Sequence, residues 1–505
     1  MELDEIVLER LDDELWWGGT VADGASMPFG AGPFYRDLCA GLGGGQASPL
    51  MISSRGRWIA SNQGAPFALS IDAAKVVCRG VGTFDMEREP SNLRLGLAKL
   101  NQREVDRAVG APAPRLFTAP QYNTWIALNA ATSQAGVLQY AESLIEYGFP
   151  PGVLMIDDGW QEDFGVWDFH SRRFPDPVAM LTQLEQLGFA VMLWVVPYVS
   201  PDSAICRDLN RQGLLVRDLS GDALVGHWWN GQSAVFDLTR PEARGWWQHT
   251  LSGLQKQYGV AGFKFDGGDP EFFAGRVSDA VYRSYLWAEL GEEFIFNEFR
   301  VAWNNRLRPI MARLQDKAHG WGQDGLGLLI PEGIAAGLLG FPYVCPDMVG
   351  GGQIGSFLNR QTALDEELMI RFAECSALFP AVQFSFLPAG GRDSRVLTAF
   401  QEMARLHESL GPTIYNLVAN AAETGNPIMR PMVYAADFAP AETMADQFLL
   451  GDDILVAPQT RRGAREKRVW LPPGRWMDDS GRAFHGPGFI TRPSPAGHLN
   501  WFSRA

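Results

Sequence analysis

The chain has 505 residues, 46% hydrophobic and 20% charged, and its 55 Gly, 32 Pro and 17 Trp are typical of a large, loop-rich globular protein rather than a disordered or fibrous one. This length predicts about three domains, or one large barrel with additions. The formal net charge of −15 repels phosphate backbones and anionic membranes, so we expect neither nucleic acid nor membrane as a partner.

The sequence shows few signs of a secretory signal or of a metal site. The first stretch, MELDEIVLERLDDELWW, is acidic and lacks the basic and apolar regions of a secretory signal, and no run of about 18 apolar residues follows. The five cysteines are scattered and never spaced as CxxC, which fits a reducing compartment without structural zinc. We therefore expect a soluble, cytoplasmic protein, and the sequence leaves homo-oligomerisation open.

The first predicted domain covers residues 1–114. Short apolar runs such as SSRGRWIAS and APFALSI are broken by Gly, Pro, Ser and Asn, with little helical period. This texture predicts an N-terminal β-sandwich. A stretch rich in small residues and proline, residues 108–120, is typical of a linker.

Residues 115–424 alternate between helical and strand patterns. In FPDPVAMLTQLEQLGFAVMLWVV, Asp176 is a natural N-cap, Pro177 occupies the first helical position, and Gly188 ends the helix before a continuous apolar strand. About eight strand positions follow this scheme, counting QYNTWIAL and the segment around HGWGQD. The count, the length and the polar residues at strand ends favour a (β/α)₈ barrel over an open doubly wound sheet.

The last predicted domain covers residues 425–505. Its runs, such as QFLLGDDILVAP and REKRVWLPPGRWMDD, return to short strands separated by turns, which predicts a C-terminal β-sandwich. The predicted fold class is therefore α/β, a TIM barrel with an N-terminal β-sandwich domain and a C-terminal β domain.

Carboxylates and tryptophans collect at the ends of the predicted barrel strands. The seven histidines are scattered and no P-loop is present, so we expect neither a metal nor a cofactor. Paired carboxyl groups beside aromatic rings are what a glycosidase needs. The strand-end residues are Asp157, Asp158, Trp160, Trp194, Asp266, Asp269, Glu298, Arg300, Trp321, Asp324 and Asp347.

Two of these acids are candidates for catalysis. Asp266 directly follows the apolar GFKF, precedes two glycines, and has Lys264 on the same strand face to keep it ionised, which suits a nucleophile. A turn or capping aspartate explains DGG equally well. Asp324 lies near Trp321, whose apolar ring could keep an acid protonated, although a loop aspartate also explains it.

Two further residues have alternative readings. Trp229, in HWWNGQ, could be a platform for a sugar ring or a buried core residue. Arg300 could bind substrate or form a structural ion pair with a barrel carboxylate.

The ordered motifs IDDGW, FKFDGGD, PYVCPDMVGGG and QFLLGDDILVAP resemble glycoside hydrolase family 31, and within it the branch that contains the myogenesis-regulating glycosidase. The resemblance implies a retaining exo-α-glycosidase that needs no cofactor and acts on an oligosaccharide or other α-glycoside. It places the nucleophile at Asp266 and the acid/base at Asp324. The sugar-binding positions that it implies are Asp158 or, with a shift of one, Asp157, and Trp194, Trp229, Arg300, Trp321, Asp269 and Asp347. Lys264, on the strand face of Asp266, and Ser385, at the end of the last barrel strand, are further candidate substrate-binding residues.

Departures from the family pattern bear on the sugar. Starch-type α-glucosidases of the family carry a histidine at the end of the last barrel strand, where this chain has Ser385, and MNE after the nucleophile, where it has GGD. The branch and the likeness to α-galactosidases of families 27 and 36 imply a terminal α-galactoside as substrate. An α-glucosidase, a transglycosylase and, outside the enzymes, a sugar-binding protein without catalysis are the alternatives.

Overall fold

The computed structural model describes residues 3–39, 44–104, 110–273, 277–358, 364–386, 394–438 and 441–505. A nearly closed barrel of parallel strands occupies the middle of the chain, with antiparallel sheets before and after it. The predicted fold class is confirmed.

The barrel has eight strands, β1 to β8 in chain order. Each pairs in parallel with the next from β1 to β7, and β8 pairs with β1. Between β7 and β8, Ala381 N donates to Val344 O at 3.2 Å. The strands are Gln121–Asn123, Val153–Ile156, Ala190–Val195, Gly262–Phe265, Phe296–Phe299, Ala312–Arg313, Val344–Cys345 and Gln383–Phe384.

Amphipathic helices cover the barrel, and their caps follow the sequence. The Asp176 carboxylate accepts from Ala179 N at 3.0 Å, with Pro177 in the first turn, as predicted. The helices are Arg115–Thr118, Thr124–Leu128, Gln134–Glu146, Pro177–Gln186, Ala204–Gln212, Pro241–Tyr258, Val277–Gly291, Leu329–Leu338, Gly355–Leu358, Glu366–Ser376 and Arg395–Thr424, with 3₁₀ turns at Asn129–Ala131, Pro270–Phe272 and Leu326–Leu328.

The sixth barrel strand does not lie where the sequence placed it. The structure forms β6 at Ala312–Arg313, and the HGWGQD segment is a loop. The loop closes on itself, because Ala318 N donates to Asp324 O at 2.7 Å and Leu326 N donates to Gly320 O at 2.9 Å. Its backbone groups are thus not offered to neighbouring strands.

The N-terminal part contains two sheets and one helix, Leu93–Gln102. Gln46 ties the second sheet to the barrel, since its Nε2 donates to Phe299 O at 3.1 Å and to Arg313 O at 2.9 Å. The first sheet contains Asp4–Glu9, Lys75–Gly80, Phe67–Ile71 and Phe34–Asp37. The second contains Trp16–Thr20, Gln46–Ser53, Trp58–Ser61, Phe84–Glu87 and the barrel-loop strand Ala302–Trp303, and 3₁₀ turns lie at Val21–Ser26 and Asn62–Gly64.

Two small antiparallel sheets extend from loops of the barrel. One lies after β2 and the other begins after β3, so both lie at the carboxyl ends of barrel strands. Their strands are Gln161–Asp163 with Val166–Phe169, and Tyr198–Val199, Val225–Trp228 and Gly231–Val235.

The strands of the C-terminal part form one antiparallel sheet, and within described residues 425–438 and 441–505 no second sheet completes the predicted sandwich. Arg371 of the barrel joins this part, because its Nη2 donates to Ser494 O at 2.7 Å. No helix in the described ranges has the length and apolar character to cross a membrane. The strands, in sheet order, are Met429–Arg430, Phe448–Leu450, Ile454–Val456, Trp501–Arg504, Glu466–Asp478 and Ala483–Pro493, with 3₁₀ turns at Met432–Tyr434 and Ala441–Thr443.

Candidate active site

A cavity of about 550 Å³ opens at the carboxyl ends of the barrel strands, and we call it the central cavity. In a closed parallel barrel, side chains that follow different strands converge at this end. The cavity is lined by Trp125, Asp157, Asp158, Trp194, Trp229, Lys264, Asp266, Arg300, Asp316, Met348 and residues 353–356.

Asp266 enters the cavity directly after β4, and two glycines in left-handed backbone conformations follow it. Gly267 and Gly268 have φ angles of +62° and +79°, a region that glycine adopts without steric cost. A Cβ on Gly267 would lie 2.7 Å from Cε2 of Tyr198, and one on Gly268 would lie 2.6 Å from Cδ1 of Trp287. The DGG sequence is therefore a left-handed segment that follows the strand, and Asp266 at its start presents its carboxylate to the cavity.

The Asp266 carboxylate has donors and cations on both oxygens. Trp194 Nε1 donates to Oδ2 at 2.8 Å, and Lys264 Nζ lies 3.6 Å from the same oxygen. Gly267 N donates to Oδ1 at 2.9 Å, and Arg300 Nε lies 3.8 Å from it. Burial alone would raise the pKa of Asp266, but the charges of Lys264 and Arg300 outweigh it and hold the pKa below its usual value.

The adjacent acids Asp157 and Asp158 have different partners. Lys264 Nζ donates to Asp157 Oδ2 at 2.7 Å, and this ion pair is almost fully buried. Asp158 accepts from Gln161 Nε2 at 2.8 Å, and burial raises the pKa of its carboxyl. Asp157 thus mainly holds Lys264, whereas Asp158 has no cationic partner among the described residues.

Arg300 and Trp229 form one rim of the central cavity. Trp229 is 45% exposed, so it is not a core residue, and the Arg300 guanidinium lies 4.7 Å from its ring centre. Arg300 also lies 3.4 Å from Asp269 and 3.6 Å from Asp316. Its predicted ion-pair role is present, and it lines the cavity as well.

Three predicted residues act behind the cavity lining. Asp269 is buried against Arg300, and burial raises its pKa to about 6. Burial also raises the pKa of Asp347 to about 6, and its carboxylate accepts backbone N–H groups of Lys317 and Gly352, which fixes two loops at the mouth. Ser385 Oγ accepts from Ile126 N at 2.7 Å and donates to Asn123 O at 2.8 Å, so its described contacts join β8 to the end of β1.

Asp324 and Trp321 lie in the loop that follows β6. Asp324 is exposed and is not among the described residues that line the central cavity. The indole Nε1 of Trp321 donates to Asp365 Oδ2 at 3.0 Å. The acid/base role of Asp324 and the substrate-binding roles of the other residues stay predictions.

The sequence analysis missed Asp316 and Trp125, which line the cavity. Asp316 closely follows the apolar run PIMARL, a strand-end signal that the predicted position of the sixth strand at HGWGQD leaves out. Trp125 lies on the helix Thr124–Leu128, two residues after β1 ends at Asn123, and the sequence analysis places it inside the strand QYNTWIAL rather than after it. Within the described ranges, no three His, Cys, Asp or Glu residues are grouped to hold a metal ion.

Comparison with protein families accounts for most of the chain. Residues 117–417 match the TIM-barrel domain of glycosyl hydrolases family 31, and residues 425–505 match the C-terminal domain of the same family. The chain belongs to glycoside hydrolase family 31. The resemblance inferred from the motifs is confirmed.

Relatives of the chain carry different names. The chain is 33% identical over 474 residues to the myogenesis-regulating glycosidase of Mus musculus, and the alignment covers 87% of this chain and 66% of the relative. It is 27% identical over 369 residues to a sulfoquinovosidase of Escherichia coli strain K12, and this alignment covers 67% of this chain and 53% of the relative. The chain thus spans between about half and two thirds of the length of these relatives.

Solved structures of family 31 share the fold. A dextranase of Flavobacterium johnsoniae complexed with glucose superposes with a TM-score of 0.84 at 19% identity, and the match covers 99% of this chain and 66% of that one. At this identity the likeness shows the fold alone.

Proposed function

We propose that the chain is a retaining exo-α-glycosidase that removes a terminal, non-reducing α-linked sugar by double displacement. One observation carries the proposal: Asp266 lies in the central cavity of a family 31 barrel with Lys264 and Arg300 beside it, and its pKa is lowered. A carboxylate nucleophile has to be ionised to attack, and these two cations favour that state.

The proposed reaction has two steps. An Asp266 oxygen bonds to the anomeric carbon while the glycosidic bond breaks, and the departing oxygen takes a proton from Asp324. Water then gives a proton to Asp324 and attacks the same carbon, which releases Asp266 and leaves a sugar of retained configuration. Closure of the exposed Asp324 loop over bound substrate would complete this arrangement.

The favoured sugar is a neutral one, α-galactose. The cavity lining contains four carboxylates (Asp157, Asp158, Asp266 and Asp316) and two cations (Lys264 and Arg300), a balance that disfavours an anionic sugar. The galactose assignment rests on the branch resemblance and on Ser385 in place of the histidine of starch-type α-glucosidases.

The test compares p-nitrophenyl α-galactoside with p-nitrophenyl α-glucoside on the wild-type chain and on Asp266→Asn. We expect galactoside turnover with retained configuration by NMR, and a loss of at least about 10³-fold in the variant. Preference for glucoside would make the protein an α-glucosidase, and larger products with excess acceptor sugar would make it a transglycosylase. No turnover of any α-glycoside by the folded protein would favour the sugar-binding alternative.

A further inference from the structure

Asp316 is a cavity carboxylate to which the sequence analysis gave no role. It follows β6 and lines the same cavity as Asp266. Its side chain is 30% exposed, compared with 10% for Asp266 and 3% for Asp157. Of these three carboxylates, Asp316 is the most accessible to a ligand.

The two oxygens of Asp316 differ in their partners. Arg313 Nη1 donates to Oδ1 at 2.7 Å, which fixes the side chain from the barrel interior. Oδ2 lies 3.6 Å from Arg300 Nη1, beyond ordinary hydrogen-bond length. Within the described residues, Oδ2 thus has a nearby cation but no hydrogen-bond donor.

Asp316 acts as an acceptor rather than as an acid. Burial would raise the pKa of its carboxyl, but Arg313 and Arg300 hold the pKa well below its usual value. An ionised carboxylate only accepts hydrogen bonds, and a sugar hydroxyl is a suitable donor.

We propose that Asp316 and Arg300 together bind one hydroxyl of the sugar, with the hydroxyl donating to Asp316 Oδ2 and accepting from Arg300 Nη1. An oxygen placed at ordinary hydrogen-bond length from both atoms fits across the 3.6 Å gap. Arg300 also lies 3.8 Å from Asp266, so the bound hydroxyl is held beside the nucleophile. The inference rests on the proposed function and makes Asp316 a residue that determines which sugar is accepted.

Its test uses the best p-nitrophenyl α-glycoside and its monodeoxy analogues. Asp316→Asn should lower kcat/KM for the parent sugar by about 10- to 150-fold, the value of a hydrogen bond to a charged group. For the one analogue that lacks the bound hydroxyl, Asp316→Asn should have the same kcat/KM as the wild type. Asp208→Asn, which removes a carboxylate from an exposed pair with Arg211, is the matched control and should leave all rates unchanged.

An equal loss on every analogue, or no loss at all, would overturn the inference. If Asp316→Asn does not fold, Asp316→Glu keeps the charge but displaces the oxygen, and the same pattern across the analogues decides the outcome.

A wild-type chain without turnover would refute the proposed function alone. Calorimetric binding of free galactose then tests Asp316, since weaker binding to Asp316→Asn than to wild type supports its role. Equal binding, or no binding to either protein, contradicts it.

Discussion

At the residue level, the proposed chemistry needs one carboxyl charged and another protonated. Asp266 has Lys264 at 3.6 Å and Arg300 at 3.8 Å, and both favour its charged form. Asp316 is also held as a carboxylate by Arg313 and Arg300, so it is a poor proton donor. Of the predicted acids, Asp324 remains the candidate donor, although it is exposed in the described structure.

Replacing Asp324 should affect substrates according to their leaving group. A poorly acidic alcohol or sugar needs protonation as it departs, so Asp324→Asn should slow its release by roughly 10²- to 10⁴-fold. An activated phenol departs with little protonation, and its release should be much less affected. Pre-steady-state rates of aglycone release from both substrate types measure the difference, and an equal loss on both would contradict the acid role of Asp324.

At the element level, the two-glycine segment after β4 positions the nucleophile. Gly267 has φ +62°, and an added Cβ would lie 2.7 Å from the Tyr198 ring. Gly267→Ala should therefore lower the free energy of unfolding by about 1–3 kcal/mol and also reduce kcat/KM, because the segment next to Asp266 must shift. Urea unfolding and steady-state kinetics measure the two effects.

Gly259→Ala is the matched control for Gly267→Ala. Gly259 ends the helix Pro241–Tyr258 with φ +74°, but a Cβ there meets no atom within 4 Å among the described residues. Gly259→Ala should lower the free energy of unfolding through a similar backbone strain and leave kcat/KM unchanged. A loss of activity in Gly259→Ala as large as in Gly267→Ala would contradict the positioning role of the two-glycine segment.

How well the sequence predicted each element depended on how local its signal is. Asp266 follows a four-residue apolar strand and precedes two glycines, so its neighbours in the chain reveal it. Strand β6 has only two residues, Ala312–Arg313, which is too short for a periodic signal. The position of Asp316 depends on Arg300 and Arg313 from different strands, a tertiary contact that no local pattern contains.

At the level of the whole molecule, a buried pair on the barrel helix Glu366–Ser376, Arg371 with Glu374, contacts the C-terminal part. Arg371 Nη1 donates to Glu374 Oε2 at 2.7 Å, and Gly497 N donates to Glu374 Oε1 at 2.7 Å. Burial nevertheless raises the pKa of Glu374 to about 7. The folded protein thus holds this proton at a pH where the unfolded chain has lost it.

This raised pKa predicts how stability changes with pH. The contribution of Glu374 to the free energy of unfolding is fully present below about 4.3, the pKa of a glutamate in the unfolded chain. It is lost as pH rises through about 7, the pKa of Glu374 in the folded protein. Glu374→Gln cannot titrate, so its stability relative to wild type should improve by on the order of 3 kcal/mol between pH 4.5 and 7.5, a window set by those two pKa values. Urea unfolding of both proteins measures this, and a constant or opposite difference would contradict the assignment.

Other whole-molecule properties stay predictions from the sequence. They are the domain boundaries at residues 114 and 424 and the cytoplasmic location, whereas homo-oligomerisation is left open by the sequence.

The most direct test of the central claim is to trap the glycosyl-enzyme. A 5-fluoro-α-glycosyl fluoride of the preferred sugar forms the covalent intermediate quickly and releases it slowly in retaining α-glycosidases, so peptide mass spectrometry can locate the labelled residue. We predict one sugar per chain, attached to the carboxylate of Asp266. A label on Asp316 or another acid, or turnover of substrate with inverted configuration and no label, would contradict the account.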